Sequence, residues 1–166
     1  GKSILIDNTK EDSPAHIKIY AQDITYLPDG THDFLEPGST TWSCSRWIKV
    51  VPEELDIPVG KAKSVRISVE VPPEAKGGGY AILFFEAGAP SLIKGIGVNL
   101  RIGAMVLITI PGTEIYKAKL SNLSFVEPKD IQLSIFNEGN LLIRPAGEVK
   151  ILDFRGKRIK KLDLNP

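Results

Sequence analysis

The chain has 166 residues, of which 42% are hydrophobic and 25% charged, values of a folded globular chain with room for one large or two small domains. Its 21 Lys and Arg nearly balance 20 Asp and Glu, so the net charge of +1 gives no general footprint for nucleic acid or an anionic membrane. A single cysteine, Cys44, excludes an intrachain disulfide and a Cys-rich zinc site, and no segment approaches the roughly 18 apolar residues of a membrane span.

Alternation of period two recurs from the start. Ile4-Leu5-Ile6 and His16 to Ala21 read as strands with one face inward and one in water. Leu27 to Thr41 carries Pro28-Asp29-Gly30 and Pro37-Gly38, which suit a long loop or loose hairpin. Trp47 to Val51 reads as a strand closed by Pro52, and Pro52-Glu53-Glu54-Leu55 is the one short helical candidate, which also suits one turn between strands. Val65 to Val71 alternates most cleanly and predicts Val65, Ile67, Val69 and Val71 inward. Gly77-Gly78-Gly79 reads as a flexible connection before Tyr80 to Phe85, a run apolar on both faces, as a central strand would be. Tyr80, Ile82, Phe84 and one of Trp42 or Trp47 join the expected core.

Ile96 to Ile110 is the next apolar stretch, broken at Gly103, where the domain boundary is expected. Beyond it, Ile115 to Leu120, Ile131 to Phe136, Leu141 to Ile143, Glu148 to Leu152 and Ile159 to Leu164 read as strands, with a hairpin turn at Arg155-Gly156-Lys157. Two alternating segments end on asparagine, at Asn8 and at Asn137. The expected fold is all-β: an immunoglobulin-like β-sandwich over residues 1–102, then a second, incomplete β-sandwich domain over 103–166. That incompleteness is expected because about 63 residues fall short of the roughly 100 of such a sandwich.

Chemistry is sparse. Only His16 and His32 are present, and H-E-x-x-H, G-x-S-x-G and C-x-x-C are missing, so no catalytic residue, metal site or cofactor is assigned. His16 reads as a solvent-facing strand residue, and His32 lies among Asp29, Asp33 and Glu36 without the spacing of a calcium loop. Arg155, Lys157, Arg158, Lys160 and Lys161 read as a solvated basic hairpin without the interleaved aromatics of a nucleic-acid surface.

The order of several pieces carries a resemblance: Lys2 to Asn8, Trp47 to Pro52, Leu55 to Gly60, Val65 to Pro72, Tyr80 to Phe85, Arg101-Ile102-Gly103 and Ile110 to Thr113, with an echo at Asn137-Glu138-Gly139-Asn140. It resembles the periplasmic pilus-assembly chaperones and related bacterial surface proteins with tandem immunoglobulin-like domains. The resemblance implies an edge strand lent to an incomplete partner, whose alternating apolar side chains fill the partner's groove while backbone bonds extend its sheet. Val98, Leu100 and Ile102 are such a set. Family members also anchor a terminal carboxylate with two basic residues. Arg101 matches the second in position, and the family's first strand would fall before Gly1.

The implied function is a non-enzymatic, extracytoplasmic protein-binding module whose partner is a pilus or surface subunit, held through Val98, Leu100, Arg101 and Ile102. The alternatives are a cell-surface adhesion or scaffold protein binding a wall component, or a hydrolase whose site is not visible in sequence. An open sheet edge would also permit a homo-oligomer.

Overall fold

In a computed structural model the alternating segments form twelve strands, with residues 1–10, 12–27, 31–88, 99–127 and 130–164 described. The chain divides into two compact units, Gly1–Glu114 and Ile115–Pro166.

The first unit is a sandwich. One sheet holds β1 (Lys2–Asp7), β6 (Ala62–Val69) and β4 (Ile48–Val51) in that order. The other runs β3 (His32–Leu35), β2 (Ala15–Tyr26), β7 (Gly77–Ala87) and β8 (Leu100–Ile110), with β5 (Glu54–Ile57) also paired to β2. β2 has apolar residues at every second position from Ala15 to Ala21: Ile17 and Ile19 point between the sheets into a core with Ile48, Val50, Leu55, Ile57, Val65, Ala81 and Leu83.

β7 is buried on both faces, as its composition predicts, but by two different sets of neighbours. Ala81 and Leu83 belong to the core between the sheets, whereas Ile82 and Phe84 are buried on the outer face. There Phe34 meets Phe84 edge-on at 5.0 Å and Tyr20 lies 5.6 Å from it, tilted. Tyr80 is only half-buried. Val65 is buried and Ile67 packs against the core, but Val69 and Val71 are exposed.

Three local expectations are corrected. Pro52 to Leu55 is not helical: Glu54 opens β5, since Leu55 and Ile57 gain more by pairing beside Ile17 and Ala15 on β2 than a single turn could bury. Gly77 to Gly79 is not a loose connection but the buried start of β7, where a Cβ on Gly79 would stand 2.7 Å from the Cβ of Cys44. Gly103 is not a break: β8 runs through it without a register shift, from Leu100 opposite Ala87 to Ile110 opposite Gly77. The expected boundary at residue 103 therefore falls inside the first unit, whose last paired strand is β8.

A buried carboxylate closes the β3–β4 connection. Asp23 is fully buried and accepts hydrogen bonds from Gly38 N (3.2 Å), Thr40 N (2.8 Å), Thr40 Oγ1 (3.1 Å), Ser43 Oγ (2.6 Å) and Ser45 Oγ. Burial pushes its pKa up, but the Ser43, Ser45, Thr40 and Gly38 donors outweigh that and hold it below the ordinary value. A 3₁₀ turn, Ser45–Trp47, follows, so Trp42 and Trp47 do not share a regular strand; Trp47 packs against the core and Trp42 accepts a bond from Tyr80 N. Between them Cys44 is fully buried, and burial followed by the Asp23 charge pushes its thiol up to about 12.

The second unit consists of two antiparallel hairpins, β9 (Ala118–Glu127) with β10 (Asp130–Asn137) and β11 (Gly147–Leu152) with β12 (Arg158–Leu164). Leu141 to Ile143 is not a strand; Leu141 is instead a buried plug in the connection. The two asparagines do similar work. Asn8 Nδ2 donates to the carbonyls of Ser13 and Ile57, and Asn137 Nδ2 donates to that of Leu141 while its Oδ1 accepts from Gly139 N. Gly156, with φ of +77°, supplies the expected turn between β11 and β12.

Candidate functional site

β8 is the outermost strand of its sheet: among the described residues it pairs only with β7, along all eleven of its positions. Among the described residues no strand pairs with the backbone groups on its far side, the pattern of an edge open to a further strand. Its side chains alternate in parallel. Val106 and Ile108 face the other sheet and pack on the core, and Leu100 and Ile102 share that face but leave 63% and 62% of their surface exposed. The three-stranded sheet faces a five-stranded one, and Leu100 and Ile102 line a cleft beside residues of both.

The result is an apolar cleft of about 390 Å³, lined by Leu100 and Ile102 on one side, Ile6 on another, and Ile17, Ile57 and Phe85 at its base. Val98, the third member of the expected set, lies outside the described residues.

Arg101 points the opposite way. Its guanidinium carbon lies 4.1 Å from the centre of the Phe84 ring and 5.6 Å from that of Phe34, and Nη1 donates to the Tyr20 hydroxyl at 3.5 Å. The Tyr20 hydroxyl donates in turn to Glu86 Oε2 at 2.6 Å, and Asn99 Nδ2 donates to Glu86 Oε1 at 3.3 Å. Partial burial first, and the bond to Glu86 second, push the Tyr20 hydroxyl above its ordinary pKa. The expected set is therefore split by the sheet: Leu100 and Ile102 line the cleft, while Arg101 caps an aromatic cluster on the reverse side.

Two exposed apolar residues of β8 escaped the sequence analysis. Met105 and Leu107, in the apolar stretch that ends at Ile110, project from the Arg101 face and are exposed. Elsewhere, His16 is an exposed strand residue whose Nδ1 lies 2.7 Å from Asp56 Oδ1. The His32 ring lies 4.6 Å from that of Tyr26, tilted, and the described residues contain no His, Cys, Asp and Glu cluster able to hold a metal.

The architecture has counterparts among solved structures. One is a chain of the chaperone–tip adhesin complex of CFA/I fimbriae biogenesis, at 24% identity and a TM-score of 0.54, covering 98% of this chain and 78% of that one. The class 5 fimbriae chaperone CfaA gives 22% identity and a TM-score of 0.51, covering 99% and 77%. The fold is that of the fimbrial chaperones. A chain of the CsuC–CsuE chaperone–tip subunit pre-assembly complex from the archaic Csu pili of Acinetobacter baumannii shares it at only 12% identity, with a TM-score of 0.52 and 99% and 76% covered. No family model matches the sequence, and no curated protein does.

Within this chaperone fold β8 is the last strand of the first unit. Among the described residues no helix is long and apolar enough to cross a membrane.

Proposed function

We propose that this protein is a non-enzymatic assembly chaperone working outside the cytoplasm, which offers β8 to the open sheet edge of a fimbrial-type subunit. The single observation that carries the proposal is the edge itself. An eleven-residue strand, bonded on one side among the described residues, holds two large aliphatic side chains mostly in water beside an open apolar cleft. Backbone bonds to a partner strand would supply affinity, and Leu100 and Ile102, continued in sequence by Val98, would supply selectivity by entering alternate pockets. The shared chaperone fold supports this role, because CfaA and the two complexes bring the same architecture to fimbrial assembly.

The test is capture of a fimbrial subunit that lacks its own amino-terminal extension, refolded in the presence of this protein. Leu100→Glu places a charge in the partner's groove and should abolish capture, while thermal unfolding of the free protein moves little. Should β8 amides instead exchange only through global unfolding in the free protein, the strand is not available for pairing and a scaffold role takes precedence.

A further inference from the structure

Leu100 and Ile102 pose a mechanical problem. A strand end is normally held down by the side chains it buries, yet these two leave most of their surface in water, and among the described residues β8 has a bonded neighbour on one side only. Among the described residues, the side-chain contacts that hold this end lie on the other face.

Arg101 sits there. It is directly opposite Glu86 in register but reaches along β7 to cover the Phe84 ring, which is itself only 3% exposed. Gly103, opposite Phe84, makes this possible: a Cβ there would stand 2.5 Å from Ile82 Cδ1 and 3.0 Å from Phe84 Cε1, so only glycine lets the ring and Ile82 lie flat against β8. Phe34 and Tyr20 brace the same ring from β3 and β2, and Glu86 receives one bond from Tyr20 and one from Asn99, just before β8. One arginine thereby connects the edge strand to the three strands behind it.

We infer that Arg101 is the positioning residue of the offered edge, pinning the amino-terminal end of β8 to β7 from the outer face so that Leu100 and Ile102 on the inner face need not pack to keep the strand in place. The inference rests on the reading of β8 as the offered strand for its purpose, but not for its geometry. It separates holding from offering. A strand end that frays has an opening free energy near zero, so losing one such contact changes the fraction of molecules ready to bind.

Hydrogen exchange on the full chain tests it, with Ile4 and Ile6 on β1, whose amides face β6 in the other sheet, as references. Arg101→Met keeps the aliphatic stem and removes the cation. It should speed exchange at the β7-facing amides of Leu100, Ile102 and Ala104 about fivefold, the size of a moderate cation–π contact, with no change at Ile4 and Ile6. Arg101→Lys keeps a cation over the ring and should recover most of the protection; Tyr20→Phe, which cuts the link to Glu86, should cost less than Arg101→Met. Affinity for an extension-deleted fimbrial subunit should fall in the same order. No acceleration in Arg101→Met, equal acceleration in the Met and Lys variants, or exchange effects without any change in subunit affinity would overturn the inference. If the wild-type protein captures no subunit, it is the strand-offering reading that fails, and the exchange comparison still decides how β8 is held.

Discussion

Asp23→Asn is the sharpest test of how the first unit holds its long connection. The wild-type carboxylate takes Gly38 N, Ser43 Oγ and Ser45 Oγ on Oδ1 and Thr40 N and Oγ1 on Oδ2. An amide has one acceptor oxygen. Whichever way it turns, a backbone N–H, from Gly38 or from Thr40, meets an NH₂ group, and the hydroxyls on that side must rotate to accept. Losing two bonds to a charged acceptor at about 1.5–2 kcal/mol each predicts a loss of about 3–4 kcal/mol, a large part of a typical domain's stability. Urea unfolding followed by tryptophan emission reads this unit alone, because both tryptophans, Trp42 and Trp47, lie in it. The pH dependence adds a second check. The folded carboxyl titrates below its ordinary value of 3.8, so its stabilisation is complete above that pH and is lost as pH falls through the lower, folded value. The gap between wild type and variant should therefore be flat from neutral pH down to about pH 5 and close below it. A loss under about 1 kcal/mol, or a gap that widens on acidification, would refute the reasoning.

Leu100→Ala and Ile102→Ala should each cost under about 1 kcal/mol in folding, since most of each side chain is already in water, but five- to thirtyfold in subunit affinity, where that surface would be buried. Ile57→Ala, at a fully buried position, should show the opposite balance, with about 2–5 kcal/mol lost in denaturant unfolding. Gly103→Ala should destabilise by about 1–3 kcal/mol through overpacking on Ile82 and Phe84, seen as a lower Tm. Asn8→Ala strands the Ser13 and Ile57 carbonyls and should cost about 1–3 kcal/mol in the same unfolding assay.

The all-β architecture was legible because alternation is a local signal. His16 to Ala21 and the first half of Val65 to Val71 carry their burial pattern in their own order, and Asn8 and Asn137 mark strand ends through bonds to nearby backbone. What was not legible depends on residues distant in sequence. Glycine in an apolar run can mean a break or a close approach, and at Gly103 the deciding neighbours, Ile82 and Phe84, lie on another strand. The same holds for Gly79, pressed on Cys44 and Trp47, and for Glu54 to Ile57, a strand only because β2 has an edge to receive it. Leu100 and Ile102 were identified as a set, but neither their exposure nor the opposite aim of Arg101 is a property of the strand alone.

The burial of Cys44 has a practical corollary. A thiol held up at about 12 is a poor nucleophile at neutral pH, and Cys44 is fully buried in the fold. The folded protein should thus be inert toward disulfide exchange and alkylating agents, an advantage in an oxidising compartment where a lone accessible thiol would cross-link chains. Conversely, every alkylation event records one opening of the packing around Cys44. With no other cysteine to contribute background, the native sequence already contains a stopwatch for the opening of its first domain.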